Sequence, residues 1–95
     1  MMKLFDFGEA LKALKDGKAV ARAGWNGEGM FLVLQNGSTV EGYNMRNEPA
    51  RYYYGRKDVK INPHIDMKAA DDTYVVGWSP SQTDMLADDW YIVEM

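Results

Sequence analysis

Residues 6–34, DFGEALKALKDGKAVARAGWNGEGMFLVL, decide the fold. Asp6 is a natural helix N-cap, Glu9 stands three positions on, and Phe7, Ala10, Leu11 and Leu14 recur at helical spacing on one face. A helix is therefore predicted from about Phe7 to Asp16. Lys12 and Lys15 suit the negative end of its dipole, and Gly17 can take the left-handed conformation that ends it. The period then changes to alternation. Lys18 to Ala23 reads as a strand with Ala19, Ala21 and Ala23 opposite Val20 and Arg22. Three glycines in the six residues 24–29 make a tight connection. Met30 to Leu34 is a buried strand closed by Asn36-Gly37, a favoured two-residue turn.

Working outward, residues 41–60 have no clear period and read as a long loop or hairpin, in which Tyr52, Tyr53 and Tyr54 form a loop or a tyrosine strand. Ile61 to Met67 alternates around Pro63, which suits a strand start, an edge or a bulge. Ala69 to Asp72 is a turn and Thr73 to Val76 an apolar, β-branched strand. Ser81 with Asp84 three residues later forms a capping box, so a short helix begins there with Met85 and Leu86 facing inward. Asp89 to Glu94 closes the chain as a strand. The expected architecture is α+β: a small single domain over residues 1–95, with an antiparallel sheet of about five strands, one amphipathic N-terminal helix and a short C-terminal helix.

Composition bounds the chemistry. Ninety-five residues fit one domain, and a domain this small is often helped by association. With no cysteine and one histidine, the chain cannot build thiolate nucleophiles, iron–sulfur clusters or multi-histidine metal sites, so no cofactor is expected. No apolar run reaches a membrane span or a signal peptide, so the chain is expected in the cytoplasm. The net charge of −3 argues against a binder of nucleic-acid polymers. Its distribution is uneven: residues 1–45 are neutral, residues 46–60 carry +3 and residues 61–95 carry −6. The positive segment threads Arg46, Arg51, Arg56, Lys57 and Lys60 through the three tyrosines. It reads either as a solvated loop or as a surface for anions and rings.

Catalysis has one candidate pair. His64 and Asp66, two apart on a strand, share a face and suit a general base with its orienting carboxylate, but a structural histidine hydrogen-bonded in a half-buried strand is the favoured reading. The adjacent acids Asp71-Asp72 and Asp88-Asp89 read as solvated turns. The spacing of Gly24, Gly27 and Gly29 lacks the strand–helix context of a phosphate cradle. Binding is better supported. Trp90 is expected in the core, while Trp25 in a glycine-rich turn and Trp78 before a helix suit the walls of a ligand site. Around them stand Asn26, Asn62, Ser79, Ser81, Gln82, Thr83 and Asp84, a parts list for a nucleotide or sugar-like ligand.

FGEALKALKDGKAVARAGWNGEGMFLVL and PHIDMKAADDTYVVGWSPSQTDMLADDWYIVE, with the signatures GWNG, PHIDM and WSPSQTDMLADDW, closely resemble the second Thoeris anti-defence family of phage and prophage proteins. The likeness covers roughly residues 5–35 and 61–94, and leaves residues 41–60 outside it. It implies a non-enzymatic sponge that binds the glyco-cyclic ADP-ribose signal of a bacterial TIR-domain enzyme without cleaving it, so that the downstream effector stays silent. Some relatives also bind cyclic dinucleotides, and the family forms homotetramers with ligand pockets between protomers. On that reading Trp25 or Trp78 stacks on adenine. Arg22 or the amides of the Gly24–Gly29 turn, aided by the start of the Ser81 helix, meet the pyrophosphate. Asn62, Gln82 and Asp84 address ribose hydroxyls, with Asn26 and His64 near the pocket. A capping role for Asp84 competes with ligand contact. The runner-up is a small hydrolase or lyase using His64 and Asp66 on a cyclic nucleotide.

Overall fold

The computed structural model describes residues 2–95. In chain order the elements are α1 (Phe7–Lys15), β1 (Ala19–Arg22), β2 (Phe31–Gln35), β3 (Ser38–Glu41), a 3-10 turn at Gly42–Asn44, α2 (Glu48–Tyr54), β4 (Asp58–Ile61), β5 (His64–Lys68), β6 (Tyr74–Val75), α3 (Gln82–Leu86) and β7 (Trp90–Val93). Five strands form an antiparallel sheet in the order β6-β5-β2-β1-β7, and β3 pairs with β4 in a separate two-stranded sheet. This is the α+β domain expected from the sequence.

α1 forms where its caps and face require it. The Asp6 carboxylate accepts the Glu9 N–H at 2.9 Å, and Gly17 ends the helix at φ +84°. Its inner residues Ala10, Ala13 and Leu14 pack with Val20, Leu32 and Trp90 into one core, against which Leu34, Ile65, Met67 and Ile92 rest. Register explains the sidedness. Val20 lies opposite Leu32 and Ile92, and Arg22 opposite Trp90, so these side chains share the α1 face. Asp66 stands opposite Val33 and His64 opposite Gln35, one residue out of phase with Ile65 and Met67, so they point from the other face.

Residues 38–61 leave this body as an arm. β3 and β4 pair with Val40 opposite Val59, and α2 closes the far end. The molecule is accordingly elongated, 51 × 27 × 26 Å. The arm corrects two expectations. Tyr52, Tyr53 and Tyr54 lie in helix α2, not in a strand or loop. Asn47 caps that helix by accepting the Ala50 N–H at 3.2 Å, and Pro49 sits in its first turn. Asn36-Gly37 does not close a hairpin: β2 pairs with β1 and β5 while β3 pairs with β4, so the dipeptide joins two sheets. Gly37 is needed there for closeness, since a Cβ would meet the Ile61 carbonyl oxygen at 2.6 Å. In the body, Met85 and Leu86 do not face inward. They are 38% and 78% exposed, because the capping box and the single turn of α3 orient the helix by polar contacts.

Candidate functional site

The C-terminal end of β1 delivers Arg22 to the α1 face, and the following turn carries Trp25 over the core. Trp25, Trp78 and the fully buried Trp90 meet edge to face, with centroids 5.4 Å (Trp25–Trp90), 6.3 Å (Trp78–Trp90) and 6.4 Å (Trp25–Trp78) apart. Such geometry sets the positive edge of one indole against the negative face of the next. Trp90 fills the core as expected. Trp25 and Trp78 are half-buried, so each keeps part of its ring on the surface.

Asp84 fixes this arrangement. Its Oδ1 accepts from Arg22 Nη1 at 2.9 Å and from Trp25 Nε1 at 3.2 Å. Its Oδ2 accepts the Ser81 N–H at 3.0 Å. Its N–H donates to Ser81 Oγ and its carbonyl accepts from Trp90 Nε1, both at 3.0 Å. One residue thus caps α3 and holds two of the three indoles. Asp89, read from sequence as part of a solvated turn, is the second anchor. Its Oδ1 accepts from Arg22 Nε and its Oδ2 from the Gly24 N–H, both at 2.8 Å. A Cβ on Gly24 would lie 2.8 Å from that Oδ2, so a side chain there would push the Asp89 carboxylate off its present position. The signal for Asp89 was Arg22 itself, since a guanidinium on the apolar face of a strand needs carboxylates.

The electrostatics follow from these bonds. The hydrogen bond to Asp89 raises the Arg22 guanidinium above its ordinary value, against the effect of burial and with Asp84 adding to it. Arg22 likewise draws Asp89 below the usual carboxylate range. For Asp84 burial pushes upward, but the Ser81 N–H, Arg22 and Trp25 outweigh it and the net shift is downward. The cluster therefore holds one cation against two anions. The N–H of Gly24 is already taken by Asp89, and the first turn of α3 is capped by its own Ser81 and Asp84.

The structure divides the nine residues singled out from sequence. Arg22, Trp25, Trp78, Ser81 and Asp84 come together, and Asn26 and Gln82 flank them as exposed amides on the adjoining turn and helix. Asn62 and His64 lie elsewhere, at the root of the arm and on the opposite face of the sheet. There the Asn62 carbonyl accepts from His64 Nδ1 at 2.9 Å and His64 Nε2 lies 3.5 Å from Asp66 Oδ1. Asp66 is 2% exposed and also accepts the Gly77 N–H at 2.9 Å. Among the described residues no group of three histidine or acidic side chains is placed to hold a metal ion, and no helix is long and apolar enough to cross a membrane.

The chain is similar to known proteins over nearly its whole length. A family model described as the Thoeris anti-defense 2-like domain matches residues 5–93. A curated protein named Thoeris anti-defense 2, from Bacillus phage SP01, is 40% identical over 99 residues, covering 98% of this chain and 99% of that protein.

Proposed function

The chain belongs to the Thoeris anti-defense 2-like family, and from that membership we propose that it is a phage anti-defence sponge for glyco-cyclic ADP-ribose, acting in the host bacterial cytoplasm as a homotetramer. The observation that carries this reading is the pair of half-buried indoles, Trp25 held by Asp84 and Trp78 packed edge to face against Trp25 and Trp90, beside exposed amides and hydroxyls. Rigid aromatic plates with short polar groups suit a purine and its riboses, and their fixed geometry limits the entropy lost on binding. Trp25 or Trp78 takes the adenine, and Asn26, Ser81 and Gln82 address ribose hydroxyls. Asp84 and Arg22 act chiefly by holding the plates, because their polar atoms are already engaged with each other and with Trp25 and Asp89. Cyclic dinucleotides, which present the same rings and phosphates, are the second ligand class to test.

Hydrolysis through His64 and Asp66 is the less supported reading. Both imidazole nitrogens already face protein oxygens, and the carboxylate is buried beneath them. A general base needs a nitrogen that reaches substrate or water. The separating experiment incubates the protein with glyco-cyclic ADP-ribose, removes unbound ligand, denatures the protein by heat and weighs what is released. Intact ligand in stoichiometric amount is expected; a cleaved product overturns the sponge reading in favour of the enzyme. Trp25→Ala should weaken binding about 5- to 150-fold, the equivalent of about 1–3 kcal/mol for one lost base stack.

A further inference from the structure

Among the described residues Asp66 is the only buried polar side chain, at 2% exposure, and the tryptophan site does not contain it. A carboxylate is taken out of water only where partners meet it. His64 Nε2 stands 3.5 Å from its Oδ1, and the ring is itself partly exposed. The shorter contact of that oxygen is with the N–H of Gly77, at 2.9 Å.

That N–H is free because the chain slips by one residue beside β5. Met67 lies opposite Val75 and Lys68 opposite Tyr74. The Ala69 N–H donates to the Thr73 carbonyl at 2.8 Å, so 69–73, 67–75 and by continuation 65–77 are the pairs placed to exchange backbone bonds. In that register the Ile65 carbonyl would accept from Gly77. It accepts from Trp78, at 2.7 Å. One extra residue therefore stands opposite β5, as in a β-bulge, and Gly77 takes it up at φ +82°. A Cβ there would meet nothing within 4 Å, so the glycine serves its backbone angle and not close packing.

The slip decides which face Trp78 occupies. Residues directly opposite one another share a face, and the uninterrupted register would set Trp78 opposite His64, on the side away from α1. With the slip it stands beside Ile65, whose side chain packs on the core. Its indole then reaches Trp25 and Trp90, with centroids 6.4 and 6.3 Å away. The change of face takes one N–H out of the ladder, and Asp66 accepts it.

We propose that Asp66 is a positioning residue of the ligand site: by accepting the Gly77 N–H that the slip displaces, it holds the Trp78 indole on the α1 face, where that ring contacts the ligand. The proposal rests on the nucleotide-binding reading above. It adds to that reading a residue on the opposite face of the sheet that touches no ligand itself.

The test measures binding of glyco-cyclic ADP-ribose to the full chain by calorimetry. Asp66→Ala should lose affinity by at least about fivefold, the lower end for one lost base stack, and Asp66→Asn, which keeps an oxygen for the Gly77 N–H, should restore most of it. Where Asp66→Ala yields no folded protein, Asp66→Ser, whose hydroxyl falls one bond short of that N–H, takes its place. A second comparison separates positioning from general loosening. In a Trp78→Ala background, removing the Asp66 carboxylate should lower affinity no further, because the ring through which it acts is gone. Wild-type affinity in the variant without the acceptor, no recovery in Asp66→Asn, or the full further loss in the Trp78→Ala background overturns the proposal, and weakened binding by Trp25→Ala would still leave the sponge reading standing. If the wild-type chain binds no ligand, the sponge reading fails, and the placement of Trp78 is read without ligand from the magnetic resonance signal of its indole N–H. A signal displaced in Asp66→Ala and returned in Asp66→Asn supports the positioning role, and one unchanged in both overturns it.

Discussion

The body and the arm are built on opposite terms. In the body, a helix and five strands enclose a core whose largest member, Trp90, is fully buried and bonded through its indole N–H. In the arm, two short strands and one helix enclose little more than Val59, and two tyrosines stand almost wholly in solvent. The contrast shows where stability and recognition reside. A surface that contributes nothing to folding is free to serve a partner.

The sharpest way to break this comparison is Trp90→Ala. The change removes a fully buried ring that touches Phe7, Trp25 and Trp78, and should destabilise the protein by about 3–5 kcal/mol in denaturant unfolding. A loss below about 1 kcal/mol would mean that the indole cluster is not the keystone of the body.

That division also governs what could be read from the sequence. α1 was legible because its cap, its apolar spacing and its terminal glycine agree with one another, and local agreement is what specifies an element. Ser81 and Asp84 were legible for the same reason. The arm was not. Its helix begins at Asn47-Glu48-Pro49, a sound cap followed by a first-turn proline, but the tyrosines after it carry strand propensity and no apolar face. Without a core to pack against, α2 has no hydrophobic period to detect. In the site, the residue types were legible and their grouping was only partly so. Trp25, Trp78 and Asp84 converge through contacts 6 to 65 residues apart in the chain, as in Trp90 with Asp84 and Gly24 with Asp89. His64 shares the chain segment of Trp78's partner strand but points from the other face. One residue of register decides that, and sequence spacing does not show which face the site occupies.

Asp84→Ala has the next largest expected effect. It strips an acceptor from Arg22, Trp25 and the Ser81 N–H at once. Removing one partner of a fully buried ion pair costs about 3–5 kcal/mol; with both side chains 13% exposed, about 2–3 kcal/mol is expected here, read from unfolding curves. Trp25 should also report it, by a shift of its fluorescence toward the solvated range. The same bonds set an acid limit. Asp84 and Asp89 are held below their unfolded values, so their stabilisation is fully present above about pH 4 and is lost as pH falls through the lower folded values. The body should therefore lose stability on acidification below about pH 4, and Asp89→Asn should flatten that dependence. An unchanged acid transition in Asp89→Asn would take the acid sensitivity away from Asp89 and leave Asp84 as the only member of this cluster that could carry it.

The smallest expected change in stability carries the most information about the arm. Tyr52→Ser and Tyr53→Ser remove rings that are 93% and 74% exposed, and Tyr53 loses only its edge contact with Tyr54, whose centroid is 5.0 Å away. Surface substitutions of this kind stay within about 0.5 kcal/mol. Melting temperature should hold while any property that depends on a second chain changes. The apparent mass in sedimentation, or ligand affinity measured over a range of protein concentrations, reads that property. A drop in stability of more than about 1 kcal/mol would show that the tyrosines pack within their own chain, and the arm would then belong to the body's folding unit. Unchanged stability with altered association would instead confirm that the exposed rings face another molecule.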